Sequence, residues 1–176
     1  AAYNAALIAC VENDQLEAAA ALLRRMRGDG VRLNALSYSA GISVAQRQGH
    51  SQLALELFGE MEAASLPQNA LAGGAAVAAY ASSWRWREAL ATLTRMEETK
   101  VTPRTAAFNE ALGACVAAGR WREAASLHAR MVEGGVVCDG TTLALAARAH
   151  AGLGEHGEAA ALLEGLSSAG FRPARA

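Results

Sequence analysis

One segment of the chain has the spacing of a dinucleotide-binding loop. Gly152, Gly154 and Gly157 form the pattern Gly-x-Gly-x-x-Gly, in which glycines let the backbone approach a pyrophosphate at a helix N-terminus. That chemistry needs a strand directly before the glycines, and here no strand pattern precedes them. We therefore interpret the segment as a turn between helices and expect no cofactor.

Histidines and cysteines offer no grouping with a recognisable chemistry. His150 and His156 flank the same turn, but Glu155 is the sole further donor nearby, so a metal site would lack ligands. We expect a surface histidine pair there, while His50 and His128 are isolated in the sequence. Three cysteines are too few and too scattered for a disulfide framework or a zinc site, namely Cys10, Cys115 and Cys138. We predict no enzyme, no metal site and no small-molecule substrate.

Two tryptophans lie 35 residues apart in matching Arg-Trp-Arg-Glu-Ala segments. They are Trp86 and Trp121, and Trp84 stands just before the first. Tryptophan flanked by arginine is a good stacking surface for a nucleobase. The equivalent position near the start of the chain holds Leu16, however, which favours packing of the indole against the turn before the helix. Packing is the preferred interpretation and base stacking the alternative.

The same spacing of 35 residues runs through the whole chain. The methionine column is Met26, Met61, Met96, Met131 and Leu166. The alanine column is Ala19, Ala54, Ala89, Ala124 and Ala159. The aromatic column is Tyr3, Tyr38, Gly73, Phe108 and Leu143, and the apolar column is Val31, Leu66, Val101, Val136 and Phe171. Five copies fit without an insertion or deletion, so the sequence predicts five copies of one structural unit.

Each copy has the pattern of two helices joined by a turn. The first helices are predicted over residues 2–13, 37–48, 72–83, 107–118 and 142–153. The second helices follow breaks such as Gly49, Gly119 and Gly154, and the glycines that end them are Gly30, Gly135 and Gly170. A single hairpin cannot bury its own apolar face, so the copies must stack into an α-solenoid with the first helices on the concave side.

Composition agrees with a helical fold and excludes several classes of protein. Of the 176 residues, 44 are alanine and 5% are aromatic, which favours helices packed at close range. Sixteen Lys and Arg against 17 Asp and Glu give a net charge of −1, which excludes a strongly basic nucleic-acid arm. The longest uncharged run, 63–84, is interrupted by Pro67, Gln68 and Asn69, so no transmembrane helix is predicted.

Short segments shared by the copies resemble a known family. Copies open with Tyr3-Asn4, Tyr38-Ser39 or Phe108-Asn109, and two of them contain Arg-Glu-Ala before the methionine column. These features resemble the pentatricopeptide repeat of the P type, a helical hairpin of 35 residues, rather than the 34-residue tetratricopeptide repeat. The resemblance implies an all-α fold, a right-handed α-solenoid of five helix-turn-helix repeats. The predicted repeats are 1–34, 35–69, 70–104, 105–139 and 140–174, and the missing initiator Met suggests a piece of a longer chain.

The resemblance also implies which residues contact RNA. Such proteins bind single-stranded RNA at about one base per repeat, through the residue after the aromatic column and the last residue of the same copy. The implied pairs are Asn4 with Asn34 for a pyrimidine, Ser39 with Asn69 for adenine, and Asn109 with Asp139 for uracil. The pairs Gly74 with Arg104 and Ala144 with Ala174 depart from the pattern. Arg47 and Arg104 complete the candidate RNA-binding residues.

The function implied is a sequence-selective RNA-binding module of an organellar protein, in a mitochondrion or chloroplast. Charge argues for weak non-specific attraction, because the first helices carry only Glu12, Arg47, Glu110 and Arg148. An alternative for Asn4, Ser39 and Asn109 is that they cap or solvate the helix starts. The alternative function is a non-catalytic scaffold for protein subunits of a large organellar assembly, since an uncharged concave surface also suits a partner helix.

Overall fold

The computed structural model describes residues 2–13, 15–31 and 33–168, and this part of the chain is helical and contains no strand. The helices are α1 (Ala2–Glu12), α2 (Leu16–Gly28), α3 (Ala35–Arg47), α4 (Ser51–Ala63), α5 (Ala70–Ser82), α6 (Trp86–Glu98), α7 (Thr105–Ala117), α8 (Trp121–Glu133), α9 (Gly140–Gly152) and α10 (His156–Ser168). Helices α3, α5, α7 and α9 begin 35 residues apart. Gly170, Phe171 and Ala174 of the sequence pattern lie outside the described residues.

The predicted starts of α3, α5, α7 and α9 are wrong by two residues. Each of these helices begins directly after the last residue of a predicted copy. In three cases that residue is a polar N-cap, and its side-chain oxygen accepts the third helical N–H at 2.9 Å: Asn34, Asn69 and Asp139. N-caps satisfy backbone donors that have no partner inside the helix, so they fix the start. The prediction had followed the apolar residues and overlooked the caps.

The methionine and apolar columns meet at the ends of the even-numbered helices. The N–H of Val31 donates to the carbonyl of Met26 at 2.9 Å, and the same bond from Val101 to Met96 measures 2.8 Å. This six-residue closure is the C-terminal cap in which an apolar residue beyond the helix packs against its last turn. The four methionines are fully buried. The two columns therefore reflect one local structure, repeated along the chain.

Left-handed backbone closes both kinds of turn. After the even-numbered helices a residue has φ between 52° and 65°, and these residues are Gly30, Ser65, Lys100 and Gly135. At the turns that follow α3, α5, α7 and α9, φ lies between 59° and 80°, and these residues are Gly49, Trp84, Gly119 and Gly154. Glycine adopts this conformation without steric cost, whereas Ser65, Lys100 and Trp84 do not.

The helix pairs stack in one row, and the odd-numbered helices form its inner layer. Each odd-numbered helix from α1 to α9 contacts the next odd-numbered helix, while within the described chain no two even-numbered helices come as close. Small residues allow this approach; α5 buries Ala72, Gly73, Ala75 and Ala76. The row is therefore shorter on the odd side, which makes that side concave. We call this surface the odd-helix face.

Candidate functional site

The last residue of each of the first four predicted copies lies at an end of the odd-helix face. Asn34, Asn69, Arg104 and Asp139 stand immediately before α3, α5, α7 and α9. Ser39, the predicted partner of Asn69, lies in the first turn and a half of α3. Asn109, the predicted partner of Asp139, lies at the equivalent position in α7. Helix geometry thus brings the predicted residues toward one edge of the concave surface.

Asn109 and Asp139 are in direct contact although 30 residues separate them. Asn109 Nδ2 donates to Asp139 Oδ1 at 3.0 Å. The buried hydroxyl of Thr142 joins the two residues, because it donates to Asn109 Oδ1 at 2.7 Å and lies 3.0 Å from Asp139 Oδ1. Thr142 also accepts the Asp139 N–H at 3.2 Å, which completes a capping box. The fourth predicted pair is therefore a fixed polar group.

This group keeps hydrogen-bonding capacity for a ligand. The bonds from Asn109 and from Thr142 N–H end on Asp139 Oδ1, so Oδ2 of this exposed residue retains acceptor capacity. Asn109 uses one of its two Nδ2 hydrogens in the contact. The Thr142 N–H bond, followed by the Asn109 and Thr142 side-chain bonds, holds the pKa of Asp139 below its ordinary value. A donor beside an ionised acceptor matches the O4 and N3–H groups of uracil.

The second predicted pair is not joined in this way. Ser39 is 1% exposed, and its Oγ donates to the Ala35 carbonyl of its own helix at 2.7 Å. Asn69 caps the next odd-numbered helix, α5, where its side-chain oxygen accepts the Ala72 N–H. The structure therefore does not present the Ser39 hydroxyl to a ligand, because it is packed under the helix surface.

The first predicted pair is only partly described. Asn34 Oδ1 accepts from the Ser37 N–H at 2.9 Å and lies 3.0 Å from the Ser37 hydroxyl. The side chain of Asn4 is outside the described part of the structure. At the starts of α3, α5 and α9 the caps are thus Asn34, Asn69 and Asp139, and not Ser39 or Asn109.

Arg47 and Arg104 line one groove on the odd-helix face. The groove crosses α3, α5 and α7, and its floor includes Gly74. A Cβ added at Gly74 would lie 3.7 Å from that of Ala107, which shows how closely α5 and α7 approach. Glu110 lines the same groove, and burial raises the pKa of its carboxyl. The groove therefore combines two cations, one acid and a surface of small residues.

Sequence reasoning missed Thr142, Leu36 and Leu71. Thr142 carries a detectable signal, because it follows the cap Asp139 by three residues, the spacing of a capping box. Leu36 and Leu71 lie 35 residues apart in the first turns of α3 and α5 and are 54% and 41% exposed. Their spacing and their position two residues after a cap would have identified them. They offer apolar surface at the edge where Asn34 and Asn69 lie.

The remaining residues with possible chemistry form packing or ion-pair contacts. A Cβ added at Gly152 would lie 2.3 Å from the Trp121 ring, so this indole packs against the end of α9 in the next copy, whereas the sequence had suggested the turn before its own helix. His150 pairs with Glu155 at 2.6 Å and with the His128 ring, whose centroid is 6.4 Å away. The expected surface pair of His150 with His156 is therefore wrong. Within the described ranges no three metal-ligating side chains converge, and no helix is long and apolar enough to cross a membrane.

A family model described as the pentacotripeptide-repeat region of PRORP matches residues 1–174. Comparison with curated protein sequences gives no significant match. Among solved structures, the PPR domain of Arabidopsis thaliana protein-only RNase P 1 in complex with tRNA has a TM-score of 0.80 at 18% identity, covering 96% of this chain and 89% of that one.

Two longer proteins show the same fold. The pentatricopeptide repeat protein PPR10 from maize has a TM-score of 0.70 at 17% identity, covering 96% of this chain and 24% of its own. The nuclear proteinaceous RNase P 2 of A. thaliana has a TM-score of 0.78 at 15% identity, with coverages of 93% and 37%. At these identities the similarity shows the fold, and this chain spans well under half the length of either protein.

Proposed function

Because this chain belongs to the family of pentacotripeptide-repeat regions of PRORP, we propose that it is a single-stranded RNA-binding module that reads bases with its odd-helix face. Two structural relatives support this proposal, since one is described in complex with tRNA and maize PPR10 with an 18-nucleotide psaJ RNA element. The module binds and positions RNA and is itself non-catalytic.

The observation that carries the proposal is the contact between Asn109 and Asp139. A cap needs only Asp139 and Thr142, yet Asn109 reaches Asp139 from α7 at 3.0 Å. The contact fixes an amide donor beside a carboxylate without burying either, an arrangement suited to the Watson–Crick edge of uracil. Good base contacts of this kind contribute about 1–3 kcal/mol of discrimination.

The groove of Arg47 and Arg104 supplies the phosphate contacts in this proposal. Arg104 is exposed and its side chain makes no capping bond, so its guanidinium can meet a phosphate oxygen. With so few cations, the odd-helix face by itself contributes a modest affinity with a shallow salt dependence. Two phosphate contacts on a single strand correspond to a slope of about −1.4 in log K against log salt.

We also propose an organellar location, which the resemblance supports. The nuclear relative shows that this fold is not restricted to organelles. Fluorescence microscopy of the tagged full-length protein tests the location, and a purely nuclear signal would overturn it.

The second candidate function is a protein scaffold. One observation favours it: α5 carries no charged side chain, and Leu71 lies exposed on it beside the groove. Such a surface also accommodates an apolar peptide. Binding to a protein partner does not need the salt dependence that RNA binding requires.

The experiment that tests the proposal is a salt titration of binding to short single-stranded RNA, followed by fluorescence anisotropy. We expect the double substitution Asn109→Ala with Asp139→Ala to weaken binding to a uracil-containing strand by about 1–3 kcal/mol. A scrambled strand serves as the control for sequence selectivity. Equal affinity of the double variant, or of the scrambled strand, would refute base readout by this pair.

A further inference from the structure

A second surface with the chemistry of RNA binding lies away from the odd-helix face. The turns from odd- to even-numbered helices follow one another along one edge of the row, as shown by the 2.8 Å contact between the hydroxyls of Ser51 and Ser82. On this edge a patch of five residues, the turn-edge patch, comprises Trp84, Arg85, Trp86, Arg87 and Arg120. It joins the α5–α6 turn to the α7–α8 turn.

Trp84 stands in this patch against its own conformational preference. Its φ is 59°, at the position where three other turns of this kind have Gly49, Gly119 and Gly154. A bulky residue in left-handed backbone is strained. Burial of the indole does not offset this strain, because Trp84 is 73% exposed. Folding therefore does not account for an indole here. An exposed indole is a stacking surface for a nucleobase.

Two of the three arginines of the patch, Arg87 and Arg120, are held on an indole and lack acidic partners. The guanidinium carbons of Arg87 and Arg120 lie 4.7 and 5.1 Å from the centre of the Trp86 ring. Both arginines are exposed, and no carboxylate of the described chain lies within ion-pair distance of either. Glu88, which follows Arg87 directly in the sequence, is bonded to Arg85 at 2.9 Å. Stacking uses the guanidinium faces and leaves their N–H edges for a phosphate.

On the opposite edge of the row the arginines Arg95 and Arg130 do have acidic partners. Arg95 is paired with Glu62 at 2.6 Å, and Arg130 is paired with Glu97 at 2.5 Å. Each of these pairs links successive even-numbered helices and neutralises its arginine. On the turn edge, two like charges share one ring without an acid. An anion bound between them relieves their mutual repulsion, which is the electrostatic signature of a binding surface.

We propose that the turn-edge patch is a second RNA contact, in which Arg87 and Arg120 bind backbone phosphates and Trp84 stacks on an unpaired base. This inference rests on the proposed RNA-binding function and adds a site outside the odd-helix face. An acidic protein segment would pair with the arginines, but its carboxylates would not explain a strained, exposed indole beside them. For this reason RNA is the partner that the patch fits.

The test uses Trp84→Gly, which introduces the residue type found at three equivalent turns, those with Gly49, Gly119 and Gly154, and so preserves the fold. We expect this variant to unfold at a higher temperature yet to bind a labelled single-stranded RNA of about 20 nucleotides at least fivefold more weakly. The matched control is Lys100→Gly, which relieves the same strain and removes a cation on the opposite edge. We expect it to gain stability while its RNA affinity stays within about twofold of the unmodified protein.

The phosphate contacts are tested by the double substitution Arg87→Gln with Arg120→Gln. Its slope of log K against log salt should be shallower than that of the unmodified protein by about 1.4, the value for two contacts on a single strand. The proposal is overturned if Trp84→Gly binds as well as the unmodified protein, or if Lys100→Gly loses as much affinity. It is also overturned if poly-L-glutamate displaces the RNA equally well from the unmodified protein and from Trp84→Gly, since the patch would then bind any polyanion.

The outcomes separate this inference from the proposed function. If the Asn109→Ala and Asp139→Ala pair weakens RNA binding while the patch variants do not, the odd-helix face binds RNA and the patch does not. Weakening by the patch variants alone supports the patch and overturns readout by the face. If the unmodified protein binds no RNA, both proposals fail.

Discussion

Replacing Asp139 by Asn or by Ala separates its role as a helix cap from its role in recognition. Asn caps helices about as well as Asp, so Asp139→Asn should keep the bond to the Thr142 N–H and leave the stability of α9 nearly unchanged. Ala has no acceptor and also breaks the contact with Asn109. We expect Asp139→Ala to lower the free energy of unfolding by about 1 kcal/mol, within the range of 0.5–2 for a lost cap.

The same two substitutions should act differently on RNA binding. In Asp139→Asn the ionised acceptor beside the Asn109 amide is replaced by a neutral group, and the fourth copy acquires the pair of residue types found at Asn4 and Asn34. The preference for uracil over cytosine should therefore fall by about 1 kcal/mol or more, although the fold is intact. Asp139→Ala should lose the preference and bind more weakly.

The assays are thermal unfolding followed by circular dichroism and anisotropy with strands that differ at one base. If Asp139→Asn keeps the full preference for uracil, the carboxylate has no part in recognition and the reasoning is wrong. If Asp139→Asn is as unstable as Asp139→Ala, an amide cannot replace the carboxylate as the cap of α9, and the separation of the two roles is wrong.

Two further predictions concern packing and pH. Gly152→Ala should destabilise the protein by about 1–3 kcal/mol, because the new Cβ would lie 2.3 Å from the rigid Trp121 ring. In the control Gly113→Ala the new Cβ lies 3.9 Å from its nearest side-chain atom, so this variant should be more stable by up to about 1 kcal/mol. Thermal unfolding measures both variants, and equal effects would contradict the packing argument. The folded pKa of Asp139 is lowered, so its contribution to stability is present above its unfolded pKa and is lost as the pH falls below about 4. Denaturant unfolding between neutral and acidic pH should show this loss, and Asp139→Asn should show less of it.

The two surfaces differ in how their charge is arranged. On the odd-helix face the cations are sparse and lie beside Glu110. On the turn edge, Arg87 and Arg120 are gathered on one indole without an acid of their own. If both surfaces bind RNA, base selectivity comes from the face and much of the salt-dependent affinity comes from the edge, because phosphate contacts carry little sequence information.

The repeat itself could be predicted from the sequence because its causes are local. The methionine and apolar columns lie five residues apart because one backbone hydrogen bond at the helix C-terminus joins them, as between the Val31 N–H and the Met26 carbonyl. Helix starts were less well predicted, since a cap such as Asn34 lies outside the apolar pattern on which the prediction relied. The cap signal was nevertheless present in the sequence.

Only the tertiary structure decided which polar residues are available to a ligand. Ser39 and Asn109 occupy equivalent positions in their copies, yet Ser39 is buried against its own helix while Asn109 bonds to Asp139, the cap of α9. Likewise, Arg120 and Trp86 are 34 positions apart and meet only because neighbouring units stack. Sequence determines local backbone through short-range sterics and hydrogen bonds, whereas contacts between units depend on how closely the small residues let the helices approach.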